Sequence, residues 1–241
     1  MRLNTTSWGA GPRTAVLVHG LGQSGPLWHD FAEPLVASGE WTVLAVDLRG
    51  HGDSPRAESY SVAEFAADLA ETAPEGPDLV VGHSLGGAVL AAAVPQLRPR
   101  RVLHLDPGFR VGLPTEGLRA RLFWAAPGVA LAVVALARRV RQGKPVRSAA
   151  NEERATRAAR RFDHRMISAV YREVAFHPPV PTAPQVPTTV LLSGEGDTVV
   201  PPELAAELAD LGWDVRRLPA VGHDFWLEDP TRTTNALQDL F

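Results

Sequence analysis

Short apolar runs rich in β-branched residues recur along the chain, each closed by glycine or aspartate. Thr14–Val18 ends at His19-Gly20-Leu21-Gly22, Thr42–Val46 runs into Asp47, Leu79–Val81 leads to Gly82, and Arg101–Asp106 stops at Pro107-Gly108. Thr188–Leu192 and Val215–Leu218 complete the series. Continuous rather than alternating apolar runs describe strands covered on both faces. The stretches between them have helical character. Trp28, Phe31, Leu35 and Val36 recur near helical spacing, Ser61-Val62-Ala63-Glu64 has the capping-box pattern for a helix to about Thr72, and an alanine-rich segment covers Leu85–Leu97. Two more helices enter through proline, at Pro201-Pro202-Glu203 and at Asp229-Pro230, the second running to Phe241. This alternation predicts an α/β fold: a mostly parallel central sheet with helices on both faces, its chemistry at the carboxyl ends of the strands.

The rhythm stops at Phe109. No strand-like run appears before about Val180, so the pattern divides the chain into a core of residues 1–108 plus 179–241 and a helical cap inserted at 109–178. Within the insert Ala155, Ala158, Ala159, Phe162, Met166, Val170 and Val174 mark one apolar stripe on a single long helix. The 16 uncharged residues Leu122–Ala137 contain Pro127-Gly128 and fall short of a membrane span, which predicts a buried or cleft-lining helix. Phe109, Leu113, Leu118, Leu122, Phe123, Trp124 and Val129–Leu136 are expected to roof an apolar substrate pocket. Pro178, Pro179, Pro181, Pro184 and Pro187 make a stiff return to the core.

With 241 residues, 45% hydrophobic and 21% charged, the chain is able to bury a sizeable core. The absence of cysteine excludes disulfides and thiolate metal sites, and Met1–Thr6 lacks an apolar leader, so the expected location is cytoplasmic. The net charge of −3 hides an asymmetry. Residues 109–177 hold 13 Arg and one Lys against five Asp or Glu, a net of +9 that leaves −12 on the rest. Such an insert is either a solvated arginine face or a device that attracts anionic substrates or an anionic surface. Its arginines are not interleaved with aromatics, which argues against nucleic-acid binding.

Gly82-His83-Ser84-Leu85-Gly86 places one serine in a sharp strand-to-helix turn, with glycines two before and two after giving room to the neighbouring backbone. A serine hydroxyl is a poor nucleophile near neutrality and needs a base, itself held by an acid. Among eight histidines, His223 alone follows the final strand in a glycine-flanked loop. Asp106 and Asp197 both end a buried strand between Ser84 and His223. Asp197 is favoured because Gly194 and Gly196 let its loop turn the carboxylate toward the strand ends, while Pro107 follows Asp106. Asp47 reads as a structural residue of its loop. The amides of Leu21 and Leu85 are placed to stabilise a developing oxyanion.

Taken in order, His19-Gly20-Leu21-Gly22-Gln23-Ser24 with Trp28, Asp47 through Ser54, Gly82 through Gly87, Gly194-Glu195-Gly196-Asp197 with Pro201, and Gly222-His223 resemble the blocks of a capped, single-domain α/β-hydrolase of the serine type. The resemblance covers everything except the insert. It implies nucleophile Ser84, acid Asp197, base His223 and oxyanion amides at Leu21 and Leu85, with neither metal nor cofactor. A serine at the nucleophile position points away from the aspartate-dependent dehalogenase and epoxide hydrolase branches. The implied activity is hydrolysis of an ester, thioester or related acyl bond in a small molecule with an apolar part. The same triad also serves carbon–carbon hydrolysis, perhydrolysis and lyase steps, and the scaffold serves as a ligand receptor.

Overall fold

The computed structural model describes residues 1–142, 147–194 and 198–241. Glu195 and Asp197 lie outside the described residues. Seven strands form one sheet: β1 (Thr5–Trp8), β2 (Arg13–Val18), β3 (Trp41–Val46), β4 (Leu79–His83), β5 (Val102–Leu105), β6 (Thr188–Ser193) and β7 (Asp214–Leu218), in the order β1-β3-β2-β4-β5-β6-β7. Among the described residues only β1 runs antiparallel, pairing Thr5 with Val46 and Trp8 with Val43. All other pairs are parallel, as continuous apolar runs require. The two-residue period of the strands sorts their side chains between the faces. Ala15, Leu17, Leu79, Val81, Leu103, Leu105 and Leu191 enter one core with Trp28, Phe31 and Trp226. Val16, Val18, Val80 and Val102 enter the other with Phe65, Val89 and Leu90, and Val190 and Leu192 pack beside Phe109 and Leu204.

The helices α1 (His29–Ala37), α2 (Val62–Thr72), α3 (Leu85–Leu97), α8 (Pro202–Asp210), α9 (Phe225–Glu228) and α10 (Pro230–Asn235) cover these faces. The capping box opens α2: the Ser61 hydroxyl accepts from the Glu64 amide at 3.2 Å, and the Glu64 carboxylate accepts from the Ser61 amide at 2.9 Å. The C-terminal segment is more broken than its pattern suggests. Asp229 caps α10 by accepting from the Arg232 amide at 3.0 Å, but α10 ends at Asn235 and one 3₁₀ turn, Gln238–Leu240, follows.

Between β5 and β6 the chain forms α4 (Gly117–Ala125), α5 (Pro127–Gln142), α6 (Ala149–Arg161) and α7 (Met166–Phe176), with no strand among the described residues. The apolar stripe is real, since Ala158, Phe162, Met166, Val170 and Val174 are all buried. Its single long helix is not. The backbone leaves the helix after Arg161, where the Asp163 amide donates to Gly50 at 2.8 Å and its carboxylate accepts from Tyr60 at 2.6 Å. The uncharged stretch Leu122–Ala137 likewise divides at Ala126. Most of it is exposed, so it is not a buried helix. Phe109 is buried against the rings of His104 and Trp213, and the pocket it lines with them is bounded by Pro95 and Thr182, not by Ser84. Among the described residues no single helix is long and apolar enough to cross a membrane, and the α4–α5 pair is bent by 101°.

Several insert arginines pair with core carboxylates: Arg147 with Asp224, Arg154 with Asp30, Arg161 with Asp53 and Arg110 with Glu207. Part of the charge asymmetry therefore fastens insert to core, a use that neither a solvated face nor substrate attraction anticipates.

Four histidines are fully enclosed. Burial pushes His19 and His83 down to about 4, and His51 and His104 down to about 3. His19 shows why neutrality is required: its Nδ1–H donates to the Gly20 carbonyl at 2.8 Å while Nε2 accepts from the Leu48 amide at 3.0 Å. In the unfolded chain these rings bind protons near pH 6.5, whereas the native state refuses them until pH 4 or below. Stability is thus intact above about pH 6.5 and is lost as pH falls toward 4, at about 1.4 kcal/mol per pH unit for each refused proton. The urea midpoint should drop steeply between pH 6.5 and 4.5. A midpoint unchanged over that range would contradict the neutral assignment.

Candidate active site

Strand β4 delivers the chain to Ser84 and α3 takes it away, so the serine occupies a turn with almost no length. Its backbone adopts φ 50° and ψ −115°, a conformation costly for any residue with a side chain. Neighbouring backbone leaves no room for anything larger than glycine on either side. A Cβ at Gly82 would stand 2.6 Å from the Gly86 carbonyl oxygen, and one at Gly86 would collide with the carbonyls of Val18 and His19. The strain is held by hydrogen bonds. The Ser84 amide donates to Leu105 at 3.1 Å, and its carbonyl accepts from Gly87 at 2.9 Å and Gly108 at 2.8 Å.

His223, from the loop after β7, reaches the same end of the sheet. Its Nδ1–H donates to Asp106 Oδ2 at 2.6 Å. Asp106 is fully buried at the end of β5, itself at a positive φ of 41°. Ser193 donates to the same carboxylate at 3.1 Å, the Val199 amide at 3.3 Å, and the Thr198 hydroxyl to its other oxygen. Burial pushes the Asp106 carboxyl up, but the hydrogen bond and charge of His223, with the Thr198 hydroxyl, outweigh it and hold the group below its ordinary range. The structure therefore brings Asp106, the less favoured of the two acids, to the imidazole, while Asp197 lies outside the described residues. Asp106 makes this contact from a positive φ at the end of β5, which the following proline gave no hint of.

The loop after β2 closes the other side. A Cβ placed on Gly20 would lie 3.2 Å from Ser84 Cβ, so the loop abuts the serine. Leu21 follows that glycine. Leu85 opens α3, and the first amide of a helix has no acceptor within it.

Gln23, His83, Asp224 and Arg147 were not singled out in the sequence, yet they tie these loops together. Gln23 Oε1 accepts from the Gly20 amide at 2.8 Å, and Gln23 Nε2 donates to Asp224 at 2.9 Å. Arg147, from the insert, donates to the other Asp224 oxygen at 3.1 Å. His83 Nε2–H donates to the His223 carbonyl at 3.0 Å, and its Nδ1 lies 3.1 Å from Gln23 Oε1. A second proton on His83 would satisfy both contacts, but burial opposes it. Gln23 was visible as a polar residue in a glycine loop. Arg147 carried no signal, because its partner is 77 residues away. Gln23→Leu should lower kcat for a small ester by up to about 10²-fold with KM little changed, since it misplaces the loop without touching substrate binding. Equal steady-state constants for variant and parent would remove Gln23 from this role.

Among proteins of known sequence, a model of the alpha/beta hydrolase family matches residues 15–237. The chain is 38% identical over 118 residues to "Lipase LipV" of Mycobacterium tuberculosis, covering 46% of this chain and 42% of that protein. It is 34% identical over 128 residues to the pimeloyl-[acyl-carrier protein] methyl ester esterase of Vibrio parahaemolyticus, covering 51% and 48%. Both matches span less than half of the relative's length. In structure the chain is similar to an esterase from Exiguobacterium antarcticum, with a TM-score of 0.76 at 15% identity over 98% of this chain and 94% of that one. It is also similar to an enzyme described as degrading N-acyl homoserine lactones, with a TM-score of 0.70 at 23% identity over 99% and 96%. The sheet order, the strained turn and the family match over nearly the whole chain agree: this chain belongs to the alpha/beta hydrolase family.

Proposed function

We propose that the protein is a serine hydrolase that cleaves a carboxylic ester, thioester or related acyl bond in a small molecule with an apolar part. The observation that carries this reading is the 2.6 Å hydrogen bond between His223 Nδ1 and the buried Asp106 carboxylate, at the same strand ends as Ser84. A carboxylate only accepts, so Nδ1 carries the proton and Nε2 of the neutral ring is left with the lone pair a general base needs. We assign Ser84 as nucleophile, His223 as base and Asp106, in place of Asp197, as the acid that orients the ring.

Ser84 Oγ attacks the acyl carbon as its proton passes to His223 Nε2. The carbonyl π electrons move onto oxygen, where the amides of Leu21 and Leu85 meet the charge. The tetrahedral species collapses, the leaving group takes the proton from His223, and an acyl-serine remains. Water, deprotonated by the same imidazole, then releases the acid. Asp106 stays ionised throughout and stabilises the imidazolium. The cycle balances without metal or cofactor.

A fluorophosphonate probe tests the assignment by forming a covalent adduct only on an activated serine. Labelling of the parent at Ser84, confirmed by peptide mass, and none of Ser84→Ala is the expected result. A parent that resists the probe at millimolar concentration, or labels elsewhere, would overturn the reading.

A further inference from the structure

The two helices that begin the insert leave most of their large apolar side chains exposed, Leu118 beside an open hollow lined by Arg121, Trp124 and Phe176. On α4, Leu118 and Leu122 are four residues apart and share a face; on α5, Val129, Val133 and Leu136 follow the same helical period. These five side chains are between 61% and 68% exposed, with Val134 beside them at 48%. Of the large apolar side chains described on α5, only Leu131 is buried. Scattered exposed leucines need no explanation, but a stripe carried across two consecutive helices does.

The charges around the stripe have one sign. No Asp or Glu occurs between Glu116 and Glu152, and Arg119 and Arg121 stand exposed on α4 among the leucines. The same stretch of sequence holds five further Arg or Lys, one of which, Arg147, is committed to Asp224. This combination discriminates between occupants. A second copy of the same face would bring arginines against arginines. An acidic protein surface would match the arginines and leave the leucines in water. An anionic lipid surface satisfies both, since apolar side chains enter the headgroup–acyl boundary while guanidinium groups reach the phosphates. The 101° bend between the helices prevents them from spanning as one rod, and two helices so bent are able to lie together in the plane of an interface.

We propose that the exposed apolar face of α4 and α5 is a docking element for anionic phospholipid surfaces. The inference is independent of the catalytic reading. The test is co-sedimentation of the full chain with phosphatidylcholine vesicles and with vesicles containing phosphatidylglycerol as well. Binding to the mixed vesicles should be about tenfold or more tighter than to phosphatidylcholine alone. The pair Leu122→Asp and Val133→Asp should abolish it while leaving melting temperature and turnover of a soluble ester unchanged, because both positions are exposed. Arg119→Gln with Arg121→Gln should reduce the preference for anionic vesicles. Failure of the parent to bind mixed vesicles would overturn the proposal, as would undiminished binding by the Asp pair. So would light scattering that shows a dimer broken by the Asp pair in a protein that ignores vesicles, for a second copy would then own the face.

Discussion

Ser84→Ala is expected to lower kcat on a short p-nitrophenyl ester by about 10⁶-fold, and His223→Ala by a similar amount, with no further loss in the double variant. The effects do not add because nucleophile and base act as one unit: without the hydroxyl there is nothing for Nε2 to deprotonate. Loss of fold does not confuse the result. Alanine keeps the Cβ that already fits the turn, and the hydrogen bonds that pin the Ser84 backbone to Leu105, Gly87 and Gly108 do not involve the side chain. Ser84→Gly adds a second readout. Glycine relieves the positive φ, so this variant should be equally inactive yet melt higher, by about 2–4 °C for each kcal/mol of strain released. An Ser84→Ala protein that hydrolyses the ester as fast as the parent would remove Ser84 from the chemistry.

That turn was also the most legible feature of the sequence, because the residues that mark it stand within two positions of Ser84. Gly82 is needed by the Gly86 carbonyl and Gly86 by the carbonyls of Val18 and His19 at the end of β2, but both glycines stand two residues from Ser84, and the strand and helix around them announce themselves by period. The buried strands were readable for the same reason. What escaped depends on partners far along the chain. The antiparallel edge strand β1 has a half-exposed pattern that gains definition only by pairing with β3. The long helix of the insert was interrupted because Asp163 is taken by Gly50 and Tyr60, over 100 residues earlier. The expectation of buried or roofing side chains on α4 and α5 outran the pattern, because hydrophobicity alone does not say what a helix packs against; most of their large apolar side chains are exposed. The choice between acids belongs to this class. Both Asp106 and Asp197 satisfy the chain order, and the contact of His223 with Asp106 spans 117 residues.

Asp106→Asn should therefore lower kcat by about 10⁴-fold, while Asp197→Asn changes it by less than about tenfold. The sign follows from the hydrogen bond. An ionised Asp106 accepts from His223 Nδ1 and keeps the lone pair on Nε2; an asparagine there is able to present an N–H instead, favouring the tautomer with its proton on Nε2, where it cannot act as a base. The carboxylate also offsets the positive charge His223 gains at each proton transfer, and that attraction is strong because Asp106 is enclosed. Asp106→Asn keeps an oxygen for the Thr198 hydroxyl but gives up the acceptor shared by Ser193 and the Val199 amide, so its melting temperature is to be measured beside kcat to show that the fold survives. The pH profile gives a further check: the variant should regain part of its rate at high pH, where hydroxide replaces the missing base, and Asp197→Asn should keep the parent profile. The opposite ranking, with Asp197→Asn inactive and Asp106→Asn near parental, would return the acid to the loop after β6.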